Sequence, residues 1–143
     1  MADWLAKALE CFPELLDGTF QNRYYDHPGD LWIDLSSLLW MAYENQANSD
    51  DLIGRIYDYA TWCFEQPQTK DVETDLSSAT AVGLIEDIPL NPRVSGDLHR
   101  WMSVESFEGF KSLFRYHLSD EAYCTFHDEF MRKKKTYSGP SRL

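Results

Sequence analysis

The stretch DLWIDLSSLLWMAYEN, residues 30–45, decides how the rest of the chain is read. Its apolar residues recur at helical spacing: Leu31, Leu35, Leu38, Leu39 and Ala42 form one stripe, and Trp32, Ile33, Trp40 and Tyr43 widen it. A helix apolar over most of its circumference belongs at the centre of a helical bundle. Asp30 is the expected cap of this helix, because a short acidic side chain can accept from the first free N–H groups.

The neighbouring segments follow the same period. Trp4, Leu5, Ala8, Leu9 and Phe12 predict a first helix, which Pro13 is expected to end or kink before Gly18. QNRYYDHPGD, residues 21–30, reads as a loop with a Pro-Gly turn. A third helix, capped by Ser49 or Asp50, buries Leu52, Ile53, Ile56, Tyr59, Ala60, Cys63 and Phe64, and Gln66-Pro67 stops it. A fourth is expected over 71–87, with Val72, Leu76, Ala79 and Gly83 on one face; small residues there permit close helix approach. Pro89 and Pro92 follow it, then a short helical turn at VSGDLHRWMS, residues 94–103.

Ser103 caps a fifth helix with Phe107, Phe110, Phe114 and Leu118 on one side. Ser119 caps a sixth, with Tyr123, Phe126 and Phe130 inward. No alternating strand and no 34- or 40-residue repeat is present. The expected fold is therefore all-α: a compact bundle of five to six antiparallel helices with no significant β-sheet. One helical domain is expected over residues 1–137, followed by a mobile tail at 138–143.

Composition agrees with a packed domain. The 143 residues are 43% apolar and 15% aromatic, which argues against intrinsic disorder. No apolar run reaches the roughly 18 residues a membrane span needs, and MADWLAKALE lacks the basic and apolar regions of a secretory signal. Cys11, Cys63 and Cys124 are three, widely spaced and without a CxxC pair, so free thiols in a reducing cytoplasm are expected.

Charge is unevenly placed. Residues 1–75 hold 15 acids and 4 bases, 76–131 hold 9 and 4, and 132–143 hold five bases and no acid; the total is -11. An acidic body repels nucleic-acid phosphates and anionic membranes and favours basic protein partners. The basic run RKKK, residues 132–135, suits the last turn of the sixth helix, with Asp128→Arg132 and Glu129→Lys133 at i,i+4.

Motifs that carry chemistry are sparse. Asp26, His27 and Asp30 lie close together, but no HExxH, HxxxH or HxH spacing accompanies them, and no metal or other cofactor is expected. His117 and His127 flank the turn between the last two helices near Asp120, Glu121 and Asp128, a combination that could move protons near neutral pH. GxSxG, GxGxxG and P-loop patterns are absent.

Trp62 stands out, because a 100° helical wheel places it among Asp51, Arg55 and Asp58 on the polar face of the third helix. Trp40 and Ile33 raise the same question on the second. Asp71, Glu73 and Asp75 complement a helix N-terminus. Glu86 and Asp87 sit where the dipole disfavours them, which makes them contact candidates.

These features point to a non-catalytic, acidic interaction module of the immunity or adaptor type that binds a basic protein partner. The expected contact residues are Trp62, Asp58, Asp51, Glu86 and Asp87; a homo-oligomer is compatible but not indicated. A small helical enzyme or ligand-binding protein, with an aromatic-lined pocket and His and carboxylate groups, is the alternative.

Overall fold

The computed structural model describes residues 1–45 and 49–143. Among them the fold is all-helical, with no strand, and no helix is long and apolar enough to cross a membrane. The chain divides into two compact units, Met1–Gly83 and Leu84–Leu143.

In the first unit, α1 spans Asp3–Cys11 and stops ahead of Pro13, which opens a 3-10 turn, Pro13–Leu16; a second such turn is Gly18–Phe20. Proline suits the first position of a turn because it lacks the N–H that would go unpaired there. The loop that follows contains Asn22 with φ 67°, the left-handed region that asparagine tolerates. α2 (Pro28–Glu44) packs against α3 (Ser49–Glu65) and α4 (Leu76–Thr80), while α1 packs on α3.

Most of the stripe read from the sequence is the core: Leu31, Leu35, Leu38, Leu39 and Ala42 are buried, as are Ile53, Ile56, Tyr59, Ala60 and Cys63, whereas Leu52 and Phe64 are only half-buried. Trp32 is fully buried and donates from Nε1 to Thr80 Oγ1 at 3.0 Å. Two details of α2 differ from expectation. The helix begins at Pro28 with His27 at the N-cap, so Asp30 works from the third helical position, where its carboxylate accepts from the His27 N–H at 3.2 Å. Ile33 and Trp40 do not widen the buried stripe; both are exposed. Ser49 and Asp50, expected as alternative caps of α3, lie within the helix itself, and the position before Ser49 is outside the described residues.

The helix expected over 71–87 starts later. Asp75 is its N-cap, accepting from Ser78 N at 2.9 Å and from Thr69 N at 3.0 Å. Asp71 instead accepts from Glu73 N in the preceding turn, and Val72 is exposed. After α4 the backbone widens into a π-helical turn, Ala81–Ile85. Gly83 lies there against Trp32, and Ser36 Oγ donates to the Gly83 carbonyl at 2.6 Å.

In the second unit, a 3-10 turn at Ile88–Leu90 leads to α5 (Pro92–Asp97), capped by Asn91, and to a turn at Leu98–Arg100. Ser103 caps α6 (Val104–Gly109), followed by α7 (Lys111–Phe114) and a turn at Arg115–His117; Ser119 caps α8 (Asp120–Thr136). The fifth helix of the sequence reading is thus broken into three short pieces, which raises the helix count. Its aromatic face survives: Phe107 stacks on Phe130 at 3.9 Å, and Phe126 lies 5.3 Å from Phe107 and 5.1 Å from Phe114.

The basic run ends α8 as expected and also ties it down. Lys133 pairs with Glu129 at 3.0 Å and donates to Gly96 O at 2.7 Å. Lys134 donates to His99 O, Met102 O and Ser141 Oγ at 3.0, 2.9 and 2.7 Å. Residues 138–143, expected as a mobile tail, carry bonds of their own: the Arg142 and Leu143 N–H groups both donate to Trp101 O at 2.9 Å.

Candidate functional site

The residues singled out in the sequence fall in both units. On α3, Asp51 accepts from Arg55 Nε at 2.9 Å. The other side of that guanidinium grips Glu14 at 2.6 and 3.0 Å and donates to the Cys11 carbonyl at 2.8 Å. Arg55 holds the Glu14 carboxyl below its usual range, and Glu14 raises Arg55 in turn. Asp51 therefore serves an internal pair.

Asp58 is exposed on the same helix. Trp62 is half-buried, its ring stacked on Tyr59 with centroids 5.8 Å apart and planes 17° apart. Tyr59 is itself fixed, its hydroxyl donating to Trp4 O at 3.0 Å, and burial pushes its pKa up. Trp62 thus has one covered side and one that reaches solvent, between the two outcomes the wheel left open.

Glu86 and Asp87 belong to the second unit and are half-buried. Asp87 has a local partner that the sequence did not suggest, His117 Nε2 at 3.6 Å.

The histidines do not gather. His27 lies 3.8 Å from Glu73, and His117 pairs with Asp87. His127 Nε2 meets Glu108 at 2.8 Å and its Nδ1 meets Asp128 at 3.3 Å. Glu108 raises the His127 pKa, helped by Asp128. Asp26, His27 and Asp30 do not converge, and among the described residues no group of three or more His, Cys, Asp or Glu is placed to hold a metal ion.

Cys63 is buried, and burial pushes its thiol up to about 11, so it is protonated and unreactive at neutral pH. A groove of about 480 Å³ in the second unit is bordered by Leu118, Phe126, Glu121 and Glu129. Another of about 380 Å³ in the first is bordered by Phe20, Leu38, Met41, Leu52, Glu14 and Asp17. Neither is lined by a histidine.

Three features were missed in the sequence. Asp34 is buried on α2, where Tyr25 donates to it at 2.7 Å and Arg23 at 3.3 Å. Glu108 reaches His127 across 19 positions of sequence. Met41 is exposed beside Trp40. A helical wheel could have found Met41; the other two depend on contacts that no local pattern encodes.

The division into units also redistributes the charge. Met1–Gly83 holds 15 acids and 4 bases, net -11, whereas Leu84–Leu143 holds nine of each. The whole formal charge of the protein resides in the first unit. The chain matches no family model, no curated protein and no solved structure.

Proposed function

We propose that this chain is a non-catalytic, acidic helical interaction module of the immunity or adaptor type, acting in the cytoplasm on a basic protein partner. The observation that carries this reading is the concentration of the full -11 in Met1–Gly83. Three of that unit's four cations are already engaged by its own carboxylates: Lys7 with Glu10, Arg23 with Asp34, and Arg55 with Glu14 and Asp51. The excess negative field therefore faces outward, where it speeds encounter with a positive surface and repels nucleic acid.

Trp62 with Asp58 and Asp51 is the proposed contact on α3, the indole supplying a partly desolvated anchor. Glu86 and Asp87 form a separate acidic patch.

Capture of basic proteins on the immobilised full chain tests the reading, with salt raised from about 50 to about 300 mM. An electrostatic partner is released as screening shortens. Trp62→Ala with Asp58→Lys should reduce capture several-fold. Retention unchanged by both salt and this double variant would sink the assignment.

A further inference from the structure

On α2, Trp40, Ile33, Glu44, Ser37, Asp30 and Met41 fall next to one another at 100° per residue, opposite the buried leucines. Ile33 is 66% exposed, Trp40 47% and Met41 51%. Single exposed apolar residues are ordinary, but three in one arc of one helix make a patch. The patch continues at Met41 into the groove of about 380 Å³, where Phe20, Leu38 and Leu52 supply apolar wall and Asp17 supplies a carboxylate, Glu14 beside it being held by Arg55. From Ile33 to Glu44 the helix rises about 17 Å, roughly three turns. No lysine or arginine lies in the arc or borders the groove.

Charge selects the occupant. A second copy of the chain would bring another net -11 unit to the same face, and like charges brought together oppose such a dimer. A cationic amphipathic helix matches both properties of the strip. Its apolar face covers Ile33, Trp40 and Met41, one side chain enters the groove, and its lysines or arginines face Glu44 and Asp17. We propose that this strip is the docking surface for a basic amphipathic helix of a partner protein. The proposal rests on the interaction-module reading above and moves its main apolar contact from α3 to α2.

The test uses the full chain and a synthetic 18-residue helix of leucine and lysine with all leucines on one face. A shuffled peptide of the same composition has no apolar face. Calorimetry at about 150 mM salt and amide shift mapping supply the readouts. The amphipathic peptide should bind about tenfold more tightly than the shuffled one and perturb residues 33–44 together with Phe20 and Leu52. Ile33→Ser with Trp40→Ser should remove that advantage, while Val72→Ser, an exposed apolar residue off the strip, should leave it intact.

Equal affinity for the two peptides, or shifts confined to Asp58 and Trp62, overturns the docking strip but leaves the acidic module standing. Binding of neither peptide overturns both. Self-association abolished by the Ile33/Trp40 double variant shows that the strip serves a second copy and overturns the proposal.

Discussion

Gly83 lies so close to Trp32 that a β-carbon on the glycine would overlap the Cβ and Cγ of the tryptophan. Both opposing atoms belong to a fully buried side chain, not to the free end of a flexible one, so the π-helical turn that carries Gly83 would have to move away from α2. Gly83→Ala should therefore cost about 1–3 kcal/mol through overpacking, despite the roughly 1 kcal/mol by which alanine favours an ordinary helix. Urea unfolding measures this. A variant as stable as the parent would show that the helices do not approach this closely.

Asp34 anchors the loop ahead of α2. Asp34→Ala leaves the Tyr25 hydroxyl and Arg23 without their acceptor and should cost about 1–3 kcal/mol, whereas Tyr25→Phe should cost about 1 kcal/mol. The double variant should cost less than the sum, since both changes break one bond.

Burial, and then the Asp34 hydrogen bond, push the Tyr25 pKa above its ordinary value. A raised folded pKa stabilises fully below the unfolded tyrosine value, about 10, and that contribution fades as pH rises beyond it. The parent should lose stability above about pH 10 more steeply than Tyr25→Phe. Parallel profiles would refute this account.

Lys134 and Lys135 are adjacent in the basic run but differ in role. Lys134→Met removes the donor to the His99 and Met102 carbonyls and should cost about 1–3 kcal/mol. Lys135 is exposed, and Lys135→Ala should stay within about 0.5 kcal/mol. Thermal unfolding of the pair decides it; equal losses would mean that the run acts through bulk charge.

Both ring nitrogens of His127 face carboxylates, Glu108 and Asp128, which only accept. The imidazolium alone can donate to both, so the folded pKa is raised. Its contribution is complete below the unfolded histidine value of about 6.5 and disappears as pH climbs through the folded one. Being near the surface, it should be worth under about 1 kcal/mol. In an NMR titration the His127 ring should titrate above about pH 6.5, and Glu108→Gln should bring it down. A ring that titrates at the ordinary value in the parent would remove the tie between α6 and α8.

How far the sequence could be read depended on whether the deciding interaction was local. Ser103 and Ser119 cap the helices they were expected to cap, because an N-cap bond spans three residues. The leucine stripe of α2 and the aromatic faces of α6 and α8 follow from a 3.6-residue period and required no knowledge of neighbours. The start of α4 was misplaced because Asp71, Glu73 and Asp75 all look like first-turn acids, whereas Asp75 is the one that accepts from Ser78 N and Asp71 accepts from Glu73 N in the turn before. Asp34 was passed over because an acid at that spacing reads as surface until the loop carrying Arg23 and Tyr25 folds onto it.

The candidate surface was legible in part. Trp62, Trp40 and Ile33 were recognisable as apolar groups out of place, but which of them stays open is set by what packs on each helix. Tyr59 half-covers Trp62, while Ile33 and Trp40 share an arc of α2 that remains exposed.

The sequence by itself determined that the chain is helical, where the helices capped by Ser103 and Ser119 begin, which faces are apolar, and that the protein carries a net -11. These follow from propensity, capping and periodicity, which act over a few residues. Only the tertiary structure decided that the acidic stretch folds as a compact unit of its own, Met1–Gly83, and that Lys133 and Lys134 reach back to carbonyls more than thirty residues away. Those outcomes depend on which distant segments meet, and burial and pairing are properties of that meeting.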